Sequence, residues 1–292
     1  MNISITCTKQ QINEIKERYP EAKQRETPPY AYWQLGLSDC VITAYESGKV
    51  VFQGMGAELH ASGYRSPSQS HHSQATTLFP QWGSDEVGTG DYFGPVCVCA
   101  AAVDEANSIW LKNMGIQDSK AMKDETIRSL GKTLQERIPH SLLILDNATY
   151  NRVHQTHNMV DIKCKLHNQA YVHLTHKQSE TPKQIIVDQF VAEKSYYRYL
   201  AKEKEVVRNI HFETKAENRY IAVACASVIA RYAFLLAFDD MCQKYQFSFC
   251  KGASARVDEN IREFISIYPS TDLANVAKLH FANTQKAGVN FQ

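Results

Sequence analysis

Asp85 and Glu86 are consecutive carboxylates that follow an apolar approach and precede a tight glycine turn, Gly88-Thr89-Gly90, with an apolar run over 96–103 beyond it. Neighbouring side chains of a strand point to opposite faces, so a buried Asp-Glu pair in mid-strand would leave one charge in a core. At a strand end both carboxylates can reach one cation. Asp188 closes the apolar run Ile185-Ile186-Val187, and the carboxyl ends of strands in α/β sheets are where functional groups gather. Glu217, in Thr214-Lys215-Ala216-Glu217, immediately precedes a long apolar segment; a helix N-terminus there would favour a carboxylate. Convergence of the four would concentrate negative charge that two divalent cations could cancel. Oxygen-only ligands select Mg²⁺ or Mn²⁺ over zinc, and such a centre suits phosphodiester hydrolysis. Spacing alone equally allows Asp188 and Glu217 to be a helix cap or a surface charge.

Gly88 and Gly90 lack Cβ atoms, so the backbone of Gly88, Thr89 and Gly90 could approach a sugar and hydrogen-bond ribose 2′-hydroxyls. The same residues would also make a plain hairpin turn. Lys120 and Lys215 are candidates for phosphate contacts, with Asn151, Lys163 and Lys165 as further ones. Isolated lysines are more often solvated charges.

These residues need a scaffold, and the pattern along the chain predicts one. Strand-like runs at 82–86, 96–103, 142–147, 184–188 and 207–212 are interleaved with helical patterns at 123–137, 162–177, 194–205, 218–245 and 258–267. Short turns separate the first strands and helices separate the later ones, which predicts a mixed α/β sheet, antiparallel early and parallel late. The first part reads as a small α+β unit, with a helix at 10–19 and a hairpin formed by 39–45 and 49–54 about Glu46-Ser47-Gly48. Residues 61–80 turn to Ser, Gln, His, Gly and Pro and read as a flexible linker, His71 and His72 as solvated side chains within it. Domains are therefore expected at 1–60 and 81–292.

At 292 residues the chain suits one large domain plus a smaller one, and a net charge of +1 neither requires nor excludes a nucleic-acid partner. The 8 cysteines show no paired zinc spacing and read as reduced thiols. Residues 1–9 lack the basic and apolar segments of a secretory signal, so a cytoplasmic location is expected. The apolar run 221–238 carries Ser227 and Arg231 and reads as a buried helix rather than a membrane span. A dinucleotide fingerprint is excluded, because the glycine after Gly90 is Gly94 and a strand follows the turn.

Taken together, Gly83 to Pro95, Asp118-Ser119-Lys120, Ile186-Val187-Asp188, Thr214-Lys215-Ala216-Glu217 and Ala224 to Arg231 stand in the order seen in prokaryotic type 2 ribonucleases H. Tyr150-Asn151, Leu166-His167-Asn168, Lys251 to Ala255 and Ala277 to Thr284 look like that family too, and the resemblance spans 82–292. It implies an RNase H-like fold that cuts the RNA strand of RNA/DNA hybrids with Mg²⁺ or Mn²⁺, two per site during catalysis. By motif it puts Asp85, Glu86, Asp188 and Glu217 on the family's metal-binding carboxylates. It also implies an N-terminal domain similar to one TATA-binding-protein repeat that helps grip the hybrid, and a monomer with no obligatory protein partner. Thr89 between the turn glycines, where type HII has arginine, and Glu217, where type HII usually has Asp, make the chain resemble type HIII. The rival expectations are HII-like incision at single ribonucleotides embedded in DNA, and a non-catalytic hybrid-binding protein.

Overall fold

The computed structural model describes residues 2–62, 64, 78–116 and 122–289. The chain divides into two compact units, Met1–Thr76 and Thr77–Gln292.

The first unit runs β1 (Asn2–Thr6), α1 (Lys9–Glu17), β2 (Lys23–Gln24), β3 (Ala31–Gly36), β4 (Cys40–Tyr45), β5 (Lys49–Gly54) and α2 (Ala57–Ser62). Thr8 starts α1 with a reciprocal cap, its hydroxyl accepting from Gln11 N while the Gln11 side chain accepts from Thr8 N. The strands form one antiparallel sheet in the order β1-β5-β4-β3-β2. Alternate residues, among them Ile5, Trp33, Ile42 and Phe52, bury themselves against Ile12 and Ile15 of α1 and Ala57 and Ala61 of α2. Strand alternation turns Gln34 and Thr43 to the other face, where they are hydrogen-bonded at 2.9 Å.

The second unit runs β6 (Gln81–Val87), β7 (Val96–Val103), α3 (Glu105–Asn113), α4 (Asp124–Arg137), β8 (His140–Leu145), α5 (Asn147–His154), α6 (Met159–Lys177), β9 (Gln184–Asp188), α7 (Glu193–Tyr199), β10 (Ile210–Glu213), α8 (Ile221–Tyr245), α9 (Ala255–Ile267), α10 (Leu273–Val276) and α11 (Ala282–Lys286). Its sheet has the order β10-β9-β6-β7-β8. β6–β7 and β7–β8 are antiparallel, whereas β9 is parallel to both β6 and β10. The expected mixed sheet is therefore the one that forms.

The period-two alternation of β7 divides the core. Cys97, Cys99, Ala101 and Val103 pack with α8, while Ala100 and Ala102 meet Tyr171 and Leu174 of α6 and Val96 and Val98 meet Ile162 of α6. α8 and α6 thus lie on opposite faces of the sheet. α8 has the length and hydropathy of a membrane span, yet 78% of its apolar window is buried within the protein. Each of its buried Val, Ile, Leu and Phe side chains contributes roughly 1.5–3 kcal/mol relative to exposure. Gly83 lets α8 come close: a Cβ there would stand 2.3 Å from Val223 N.

Some boundaries differ from expectation. The helix expected over 194–205 ends at Tyr199, since Lys202-Glu203-Lys204-Glu205 offers no apolar stripe to bury. The strand expected from 207 begins at Ile210, because the Asn168 side chain takes both Glu205 O and Val207 N and ties that segment to α6. Among the described residues, five short helices, α2, α3, α5, α10 and α11, stand where no helix was expected. Of the expected linker, 61–62 close α2, and 65–77, with His71 and His72, lie outside the described residues.

Candidate active site

Asp85 and Glu86 sit near the carboxyl end of β6, and Asp188 ends β9, the parallel neighbour of β6. The register Ser84↔Val187 sets Asp85 and Asp188 at the same level of adjacent strands. Asp85 faces α8: its carboxylate is hydrogen-bonded to Ser227 and accepts the Glu86 amide at 2.8 Å. It is 4% exposed. Burial, then the charges of Glu86 and Asp188, push its carboxyl up to about 7.

Glu86 turns the other way, to α6. Its Oε2 lies 2.9 Å from His167 Nε2, and its Oε1 is in an ion pair with the Lys163 ammonium. Lys163 and His167 are four residues apart on α6 and so share a face. The other His167 nitrogen, Nδ1, lies 2.7 Å from Ser84 Oγ, and the ring has no exposed surface. Burial opposes ionisation of Glu86, but His167 and Lys163 outweigh it and hold the carboxyl down at about 2.

Asp188 Oδ1 accepts the Ala216 amide at 3.0 Å. Glu217 is the next residue, in a single 3-10 turn, Ala216–Asn218, and is 2% exposed. That turn precedes α8 without joining it, so Glu217 lies outside the first turn of the long helix on which its sequence placement was argued. Lys215 is exposed and left-handed, at φ 57°.

The turn residues have separate situations. Gly88 is buried at φ +92°, and a Cβ there would meet Pro95 O at 2.2 Å, so this glycine serves the chain's own bend. Thr89 is half-buried, and Gly90 is exposed with open space where a Cβ would stand. Of the three residues expected to meet a ribose, Thr89 and Gly90 are the ones presented to solvent.

Asn151, a candidate for phosphate contact, makes its side-chain hydrogen bonds within the fold. Its Nδ2 donates to Ala274 O at 3.0 Å and Ala277 O at 2.8 Å, and its Oδ1 accepts from Leu279 N at 3.1 Å. Its amide is occupied in fastening the 274–279 segment. Lys120 lies outside the described residues. Lys165 pairs with Glu203 at 2.7 Å. The partnership of Lys163 and His167 with Glu86 was missed; their helical i, i+4 spacing was the available signal, but nothing local says which strand that helix covers.

Among the described residues, no three His, Cys, Asp or Glu side chains form a ready metal-ligating group. The donor chemistry still fits a hard divalent cation: Asp85 and Asp188 offer only oxygens, and the upward push on Asp85 is relieved by positive charge between them.

Residues 82–284 match the family model described as Ribonuclease HII, and 2–77 match one described as a domain of unknown function, DUF3378. The chain belongs to the ribonuclease HII family. Curated relatives in it include Ribonuclease HIII of Bacillus pumilus, 39% identical over 97% of each chain, and Ribonuclease HIII of Enterococcus faecalis, 40% identical over 98% of each. A crystal structure of Bst-RNase HIII in complex with Mn²⁺ has 37% identity and a TM-score of 0.72 over 98% of both chains. These likenesses run through the N-terminal unit as well as the ribonuclease HII part.

Proposed function

We propose that this ribonuclease HII family member is a type HIII endoribonuclease that hydrolyses the RNA strand of RNA/DNA hybrids and leaves 5′-phosphate and 3′-hydroxyl ends. The observation that carries the reading is the pair Asp85 and Asp188 at adjacent strand ends, with Asp85 strained by burial and by its acidic neighbours. Asp85, Glu86, Asp188 and Glu217 are the residues that would hold divalent cations, Mg²⁺ or Mn²⁺. When bound, such cations supply a more acidic water and stabilise charge on the phosphate and the leaving oxygen.

The chain's own groups do the rest. Ser227 and the Glu86 amide orient Asp85, and the Ala216 amide orients Asp188. The Thr89–Gly90 backbone meets the ribose 2′-hydroxyl and selects RNA. Lys215 steers a phosphate. The N-terminal unit helps grip the hybrid.

The test compares a duplex holding a run of ribonucleotides with one holding a single ribonucleotide, each in Mg²⁺ and in Mn²⁺. Type HIII requires cutting of the run and poor cutting of the single site. Efficient incision at the single site would make the enzyme HII-like, and no metal-dependent cleavage of either would remove the catalytic reading.

A further inference from the structure

A lysine near the C-terminus fastens the turn that follows the two acids. Lys278 has no exposed surface, and its Nζ donates to Asp91 O at 2.8 Å and to Gly94 O at 2.5 Å. Its backbone repeats the connection, with Lys278 N donating to Tyr92 O at 2.8 Å and Gly94 N donating to Val276 O at 2.9 Å. Asn147 Nδ2 adds a second side-chain donor to Gly94 O at 2.9 Å. On the other flank, Gly252 N donates to Asp91 Oδ1 at 2.6 Å and Tyr92 N to Gly252 O at 2.9 Å. Asn151 in turn anchors the segment that carries Lys278.

Residues 91–94 are therefore held from two sides, while Thr89 and Gly90 face solvent. Burying an ammonium is costly, and an apolar side chain would fill the same space without that cost. Burial pulls this lysine down to about 8 and the Asp91 charge opposes the fall. What an apolar residue cannot do is donate to two carbonyls three residues apart and so set the curvature between them.

We propose that Lys278 is a positioning residue for ribose recognition: by gathering the Asp91 and Gly94 carbonyls it sets the pose of the Thr89–Gly90 backbone, and with it the discrimination between RNA and DNA. This rests on the reading that Thr89 and Gly90 meet the 2′-hydroxyl. It makes the C-terminal segment part of the specificity apparatus although no side chain of that segment need touch the substrate.

The experiment uses the full-length protein and measures kcat and KM on an RNA/DNA hybrid, and Ki for a DNA duplex of the same sequence as competitor. Lys278→Met, which keeps length but loses every donor, should raise KM about tenfold, lower kcat less than about threefold and leave Ki within about twofold. Gly90→Val places a side chain in open space and tests the turn itself. Loss of the Ki/KM preference in both variants supports the proposal. Loss in Gly90→Val but not in folded Lys278→Met overturns it, and retention in Gly90→Val overturns the ribose reading beneath it. If Lys278→Met does not fold, Lys278→Leu, which also lacks every donor, is read the same way, and failure of both to fold overturns the proposal by making the lysine purely structural.

Discussion

Asp85 and Glu86 are adjacent in β6, yet their carboxylates meet different helices: Asp85 bonds Ser227 on α8, and Glu86 engages Lys163 and His167 on α6. One peptide bond thus joins an acid held reluctant to ionise to one held firmly ionised. The two should respond in opposite ways to substitution and to pH.

Asp85→Asn should lower kcat by about a thousandfold or more while hybrid Kd changes less than about threefold. Normal turnover by this variant would falsify the assignment of Asp85 to the catalytic centre.

The same variant should stabilise the metal-free protein at alkaline pH. Asp85 is raised from 3.8 to about 7 on folding, so its protonated form favours the fold below about 4 and that support is lost as pH climbs through 7. Thermal melts in chelator should give Asp85→Asn a Tm roughly 5–10 °C above the parent at pH 8 and little gain at pH 4. A gain of equal size at both pH values would show that ionisation is not the cause.

Lys163→Met leaves Glu86 without its ammonium partner in a site where both side chains are nearly buried, at 12% and 11% exposure. Urea titration should show a loss of about 3 kcal/mol, recovered in large part by adding Glu86→Gln. Additive losses in the double variant would mean that the pair is not coupled.

Gly83→Ala forces a methyl to within 2.3 Å of Val223 N, where only backbone can give way. Separation of β6 from α8 should cost about 3 kcal/mol and misplace Asp85, which follows two residues on. Wild-type stability and activity together would contradict the close approach.

Deletion of Met1–Thr76 tests the grip assigned to the N-terminal unit. Hybrid KM should rise about tenfold or more, with kcat reduced far less. An unchanged KM would leave that unit without a role in substrate binding.

Much of this was legible in the residues alone. Alternating strand and helix periods predicted the mixed sheet, and the strand ends at Asp85, Glu86 and Asp188 were readable because apolar runs stop there. The helix of Lys163 and His167 was readable too, but not its target, since amphipathic spacing names a face and not the strand it covers. Nothing local to Asn151 signals that 274–279 folds back onto it. Lys278 was legible only as part of the family-like run Ala277 to Thr284, since nothing local to it shows that its ammonium is buried under the turn.

By itself, then, the sequence determined which groups are available: oxygen ligands, a glycine turn and the elements that carry them, all set by local periodicity and backbone preference. Only the tertiary structure decided how those groups are used. It sent Asp85 and Glu86 to opposite helices, closed Gly88 into the fold while opening Gly90, and put the Lys278 ammonium under the turn. Those outcomes depend on contacts between segments from 81 to 187 residues apart, made by Glu86 with His167, Asp85 with Ser227 and Lys278 with Asp91 and Gly94, whose energies appear only when the sheet is assembled.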